Sequence, residues 1–321
     1  MGESNSLRWL FGIIITMLII SACAPSNIKE KSVPELIDEI HDLDTETTAS
    51  YNNFDSDFTK FSDSAFTATT LEALKTVQLY ADRSKQSGKK VLDSFNVLLS
   101  KVSDIKKKSL NTAQKAYVDK LELATDNYKE VVKIDLEIVD KLVKLSAYSV
   151  HNTLFVTHHR AIIISLLKLP GLDEEKNWAA LKEEIQRMDN SLKSAKEEVR
   201  LMKEQISFNF LDDYENFVVL MQEHSDKLKL IVDKKQAGKY VSQEEINEAD
   251  NPGLKALAIF KTDKEGTIYA EGEEDEVEAY NRENVYPLTD KSETAFNSAQ
   301  AYYDDAKLRY EQLVKSTTTN S

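Results

Sequence analysis

The stretch WAALKEEIQRMDNSLKSAKEEVRLMKEQI, residues 178–206, decides the fold class of this chain. Its apolar side chains recur three and four residues apart without a gap, the spacing that forms a coiled-coil seam along one helix face. The pattern slips over 207–213 and then resumes, which predicts one helical run from about 173 to 235 with a bend near 207–213. The seam residues are Trp178, Leu181, Ile185, Met188, Leu192, Ala195, Val199, Met202 and Ile206.

Similar apolar patterns on either side of this run predict the remaining helices. Three long helices come earlier in the chain, and a last one follows near the C-terminus, over about 33–63, 69–105, 112–169 and 289–315. Pro170-Gly171 and Pro252-Gly253 are expected to stop the helices that precede them. A serine followed three residues later by a glutamate indicates a capping box at Ser32, and the same pattern at Ser242 starts a short helix.

The helical pattern is interrupted near residues 257–270, which are predicted to form a small β-hairpin. Two short runs of strand-forming residues flank Asp263-Lys264-Glu265-Gly266 there. The acidic stretch 271–283 that follows is expected to be a loop or a frayed helix. The predicted fold is therefore all-α: an elongated antiparallel bundle or coiled coil of about five helices over 33–315, with one hairpin. Residues 316–321 are expected to form a disordered tail.

The amino-acid composition agrees with long helices and argues against one class of binding partner. The 321 residues include only 8 Gly and 5 Pro, so helix breakers are rare. The formal net charge is −14, which argues against nucleic acid as a partner because an acidic surface repels phosphates. The chain holds a single cysteine, so an internal disulfide is excluded.

That cysteine follows an apolar N-terminal run, Trp9–Ile20, which has the layout of an export signal and is too short to span a bilayer. The motif Ile20-Ser21-Ala22-Cys23 resembles the lipobox of prokaryotic lipoproteins. The resemblance implies a signal peptide over 1–22, cleavage before Cys23, and a diacylglycerol on the Cys23 thiol. An ordinary secretion signal and an uncleaved short anchor are the alternatives.

On this reading, residues 23–32 are a flexible tether, and the bundle is held through its lipid at the extracytoplasmic face of a cell membrane. Two groups of residues are candidate contact sites. His151, His158 and His159 are expected to form a pH-sensitive or polar patch within the bundle. Lys106, Lys107 and Lys108 form a basic hairpin tip that would be exposed to a partner.

No known catalytic motif appears in the sequence, so we expect no enzyme, no metal site and no cofactor besides the lipid. Asp38 and His41 have a spacing that a metal could share, but they lie opposite the apolar stripe of their helix, on a solvated face. The expected function is a non-enzymatic interaction or scaffold module with a protein or cell-envelope partner. The alternative is a sensory lipoprotein that holds a small molecule or metal between helices. Self-association through the seam is left open.

Overall fold

The computed structural model describes residues 31–262 and 268–318, with side chains to residue 315. It confirms an all-α fold with one two-stranded hairpin. The expected signal peptide and Cys23 lie outside the described residues. The helices are α1 (Val33–Thr67), α2 (Leu71–Lys106), α3 (Thr112–Glu174), α4 (Trp178–Gln205), α5 (Leu211–Gln236), α6 (Gln243–Leu257), α7 (Glu273–Asn284) and α8 (Tyr286–Thr318).

Helix α3 is the longest of the described helices. Its 63 residues correspond to about 95 Å at a rise of about 1.5 Å per residue. The first half of α3 packs against α1, α2 and α8, and we call this group the proximal bundle. Its second half packs against α4, α4 contacts α5, and α5 contacts α6, and we call this group the distal bundle. The chain therefore forms two successive bundles on one shared helix.

The start of α1 and the turn between α2 and α3 lie at the same end of the proximal bundle. Val33 and Ile37 share a hydrophobic cluster with Ile105 and Tyr117, because α1 and α2 run antiparallel. Ser32 caps α1 with the predicted capping box. The basic turn is thus at the end of the bundle where the N-terminal segment enters, and the distal bundle is at the opposite end.

The predicted run over 173–235 is two antiparallel helices, so the expected bend at 207–213 is a complete reversal. Lys203 pairs with Asp212 at 2.7 Å, and Lys182 pairs with Asp233 at 2.7 Å, which fixes the antiparallel order of α4 and α5. Because the chain reverses here, Phe208 packs edge to face against the ring of Tyr148 in α3. In a straight helix, Phe208 would lie beyond this core. The predicted seam residues of α4 from Leu181 to Met202 are buried within this one chain.

Both Pro-Gly pairs lie inside helices, contrary to expectation. Helix α3 continues past Pro170 to Glu174 and ends where Lys176 adopts a left-handed backbone, with a φ of 54°. Helix α6 continues past Pro252 to Leu257. Proline cannot donate to the carbonyl four residues earlier, and Lys227 of α5 donates to that oxygen of Glu248 at 3.2 Å instead. A tertiary donor thus compensates for the proline.

The last part of the chain packs back along α3. In the hairpin, β1 (Lys261–Thr262) pairs antiparallel with β2 (Ile268–Tyr269), as predicted. The acidic stretch is helical as α7, and α8 then runs antiparallel to the first half of α3. Helix α8 reaches Thr318, beyond the expected start of the tail at 316, because neither Gly nor Pro interrupts it there.

Candidate ligand cavity

A cavity of about 220 Å³ lies in the proximal bundle between α1, α3 and α8. Among the described residues of its wall, none is a lysine, arginine or histidine, so its formal charge comes from two aspartates. The wall combines aromatic rings with hydroxyl, amide and carboxylate groups, and consists of Asp44, Thr47, Thr48, Tyr51, Asn52, Asp55, Phe95, Ala124, Thr125, Tyr128, Phe296, Gln300 and Tyr303.

Asp44 occupies a core position of α1 and is only 8% exposed. It stands four residues after the buried Ile40 and three before the buried Thr47, so the helix turns its carboxylate inward. Within the described part of the chain, no side chain or backbone N–H donates a hydrogen bond to it. Burial alone raises the pKa of Asp44 to about 7. Burial therefore favours the protonated form of Asp44 unless a cation or another donor reaches its carboxylate.

Aromatic rings surround Tyr128 of α3 and form one side of the cavity. The ring of Tyr51 lies 4.8 Å from that of Tyr128, between ring centres. Phe296 and Tyr303 of α8 approach Tyr128 edge to face, at 6.1 and 6.3 Å. The Tyr128 hydroxyl donates to Gln300 Oε1 at 2.8 Å, which fixes the orientation of the ring. The aromatic wall is therefore held in place by contacts across three helices.

A second cavity, of about 380 Å³, continues along the same three helices and shares Tyr51, Asp55 and Phe296 with the first. It contains Asp135 of α3, which is 8% exposed and accepts a hydrogen bond from Ser292 Oγ at 2.6 Å. Burial raises the pKa of Asp135 to about 6. Two buried aspartates thus lie along one groove, and of the two only Asp135 has a donor among the described residues.

The three histidines expected to form one patch lie in different surroundings. His151 is buried, and its Nδ1 lies 2.7 Å from Glu198 Oε2 on α4. His159 is buried among rings, 4.8 Å from that of Phe217, and burial lowers its pKa to about 4. His158 is half-buried on another face of α3. These three histidines do not form a single site. His151 and His158 are two helical turns apart along α3, and His159 points in a different direction from His158.

The basic tip is exposed, but part of its charge is compensated. Lys106 pairs with Asp119 at 2.7 Å and with Glu122 at 2.5 Å, and Lys107 pairs with Asp104 at 2.8 Å. The hydrogen bond to Asp119 is the largest contribution that raises the pKa of Lys106. Lys108 is exposed. These pairs reduce the local positive potential that would attract an acidic partner.

Acidic side chains of α1 and α7 make contacts within the protein. His41 stacks on Tyr310 of α8 at 3.7 Å between ring centres, and Asp38 accepts from the Tyr310 hydroxyl at 3.3 Å while it stays exposed. In α7, Glu273 accepts from Tyr148, and Glu276 accepts from a backbone N–H. Among the described residues, no group of three potential ligands could hold a metal ion.

Asp44 was not predicted as a site residue from the sequence, although a signal was present. The buried positions of α1 include Ile37, Ile40, Asp44, Thr47 and Tyr51, spaced three and four apart. An aspartate in such a stripe breaks the apolar pattern at one core position. The contribution of α8 to the cavity had no local signal, because it depends on how that helix packs against α3.

No known protein family, no curated protein and no solved structure matches this chain. Among the described helices, none has an apolar stretch long enough to cross a bilayer.

Proposed function

We propose that this chain is a lipid-anchored protein at the extracytoplasmic face of a membrane, and that its helical body acts by binding rather than by catalysis. The motif Ile20-Ser21-Ala22-Cys23 supports the anchor. At most about 28 Å of extended chain separates Cys23 from Lys31, where the described residues begin. This distance keeps the proximal bundle close to the anchor.

We further propose that the bound partner is a small molecule held between the helices of the proximal bundle. The observation that carries this proposal is Asp44, a buried carboxylate that lines a cavity and has no donor among the described residues. Burying an unpaired charge or polar group costs free energy. A ligand that donates a hydrogen bond to Asp44, or pairs with its charge, would remove this cost. Its free energy of binding would become more favourable by a corresponding amount.

A thermal-shift screen of the full-length protein in detergent, with metabolites and metal salts, tests this function. A ligand of the native state raises the unfolding temperature by mass action. The variant Ala124→Leu adds side-chain volume to the cavity wall, and Ala113→Leu adds the same volume at an exposed position of α3. A compound that stabilises the wild type and Ala113→Leu by several degrees, but leaves Ala124→Leu unchanged, supports the proposal. Identical screens for all three proteins contradict it.

A scaffold or adaptor function is the second candidate. It is favoured by the length of α3, which carries the distal bundle far from the end where the anchor enters. Crosslinking in the native membrane followed by mass spectrometry tests it. A reproducible envelope protein joined through the distal bundle supports this function, and capture of no other protein argues against it.

A further inference from the structure

We infer that the cavity ligand is a small organic ammonium ion, held by Asp44 and by the aromatic rings around Tyr128. This inference rests on the proposed ligand-binding function and specifies its chemistry. The relevant observations are the charge of the wall, the position of the rings, and the contrast between the two buried aspartates of the groove.

The charge of the wall selects a cation. Asp44 and Asp55 line the cavity, and its described wall contains no basic side chain. An anion would be repelled by these carboxylates, and a neutral molecule would leave Asp44 with its desolvation uncompensated unless it donated a strong hydrogen bond. A cation neutralises the carboxylate inside the protein, where the Coulomb attraction is stronger than in water.

The rings favour an organic cation over a metal ion. Tyr51, Tyr128, Phe296 and Tyr303 line the cavity, and the face of an aromatic ring attracts an alkylammonium group by the cation–π interaction. Calcium instead takes about six to eight oxygen ligands. The described residues contain no cluster of three acidic or histidine side chains suited to a metal. The volume of about 220 Å³ fits a small ion rather than a large cofactor.

Asp135 is the second buried aspartate of the groove. Asp44 is as buried as Asp135 but differs from it in its hydrogen-bond partners. Both carboxylates are 8% exposed. Asp135 is satisfied by the hydroxyl of Ser292, whereas Asp44 faces open space. An unpartnered buried group that points into a cavity marks the position where a ligand would donate. The ammonium group is therefore assigned to the Asp44 end of the groove.

Isothermal titration of the full-length protein in detergent at pH 8 tests the inference with a panel of ammonium probes: tetramethylammonium, choline and butylamine. The matched control is 3,3-dimethylbutan-1-ol, which has the shape of choline without its charge. We expect at least one ammonium probe to bind and the neutral alcohol to bind at least about tenfold more weakly, a difference of about 1.4 kcal/mol. Equal binding of choline and the alcohol would overturn the inference.

Two variants locate the charge effect. Asp44→Asn preserves the shape of the side chain and is expected to weaken ammonium binding at least about tenfold. Asp63→Asn removes an exposed carboxylate from the same helix and should leave binding unchanged. Circular dichroism checks that both variants are folded. Unchanged binding in Asp44→Asn would refute the assignment of the ammonium group.

The same experiments separate this inference from the proposed function. If no ammonium probe binds, while the metabolite screen finds a neutral or anionic compound whose effect Ala124→Leu abolishes, the cavity binds ligands but the inference is wrong. If neither kind of compound acts through the cavity, both the inference and the proposed small-molecule function are wrong.

Discussion

Glu184 of the distal bundle and Asp44 of the proximal bundle are both buried, but their surroundings differ. In the distal bundle, Glu184 is 7% exposed and accepts hydrogen bonds from Ser165, Lys168 and Arg187 at 2.8–3.2 Å. In the proximal bundle, Asp44 is equally well buried, and the described residues provide no donor for it. The same helical architecture thus satisfies one carboxylate and leaves the other unpaired.

The junction of the two bundles follows the distal pattern. Glu273, at the start of α7, accepts from the hydroxyls of Tyr148 and Tyr214 at 3.1 and 2.7 Å and from Asn152 Nδ2 at 2.8 Å. Donors from α3 and α5 therefore converge on one carboxylate. Glu184 and Glu273 each receive three side-chain donors, so the lack of a donor at Asp44 among the described residues distinguishes this carboxylate.

The largest effect is expected from Asp44→Asn, which removes the buried charge. The pKa of Asp44 is raised in the folded state to about 7 from an ordinary 3.8, so wild-type stability falls as the pH rises through that interval and is constant above it. Without a ligand, the variant should match the wild type near pH 4 and be more stable at pH 8 by up to about 4 kcal/mol. Chemical denaturation at both pH values measures the difference.

Asp63→Asn is the control for this prediction, because it makes the same change at an exposed position of α1. It should show no comparable gain between pH 4 and pH 8. A destabilised Asp44→Asn protein at pH 8 would mean that the charged carboxylate has a donor in solution, and the contrast between the bundles would fail.

Glu273→Ala should have the next largest effect, in the opposite direction. It removes the acceptor of Tyr148, Tyr214 and Asn152, and leaves polar groups unsatisfied at the junction. A loss of about 3 kcal/mol in the free energy of unfolding is expected, since each unsatisfied buried group costs about 1–3 kcal/mol. Urea denaturation measures it. A loss below about 0.5 kcal/mol, the usual size for a surface substitution, would show that this network does not hold the junction together.

Asp135→Asn tests whether one donor is enough to remove the cost of burial. The variant keeps an acceptor for Ser292 and loses the charge, and the pKa of Asp135 is raised to about 6. The variant should gain about 2 kcal/mol over the wild type between pH 4 and pH 7, less than Asp44→Asn, with little further gain above pH 7. Thermal denaturation as a function of pH gives this profile. A gain equal to that of Asp44→Asn would remove the distinction between the two aspartates.

The smallest effect is expected at the proline of α6. Lys227→Met removes the donor to the Glu248 carbonyl and should cost about 0.5–1 kcal/mol. In a Pro252→Ala background the backbone N–H is restored, so the same substitution should cost less. A double-mutant cycle measures this coupling. Equal costs in both backgrounds would show that Lys227 does not compensate for the proline.

The elements that the sequence predicted correctly are those with local signals. The capping boxes at Ser32 and Ser242, the hairpin and the seam of α4 all depend on residues within a few turns of each other. The continuation of α6 through Pro252 could not be predicted, because it depends on Lys227 from another helix. The reversal after Gln205 likewise depends on aromatic contacts with α3.

The candidate site follows the same rule. Asp44 was visible as an interruption of an apolar stripe, but its meaning depends on Tyr128 of α3 and on Phe296 and Tyr303 of α8, more than 80 residues away. The position of the turn at Lys106 beside the start of α1 likewise depends on the pairing of α1 with α2.

The pKa of Asp44 is the property that a bound ammonium ion in the cavity would change most. It can be measured in the full-length protein by carboxyl ¹³C NMR, with Asp44→Asn to assign the resonance. The account predicts a pKa near 7 without ligand, and a marked decrease when a binding ammonium ion such as choline is added, because a bound cation favours the charged carboxylate. A pKa near the ordinary 3.8 in the free protein, or one that no ammonium probe changes, would contradict it.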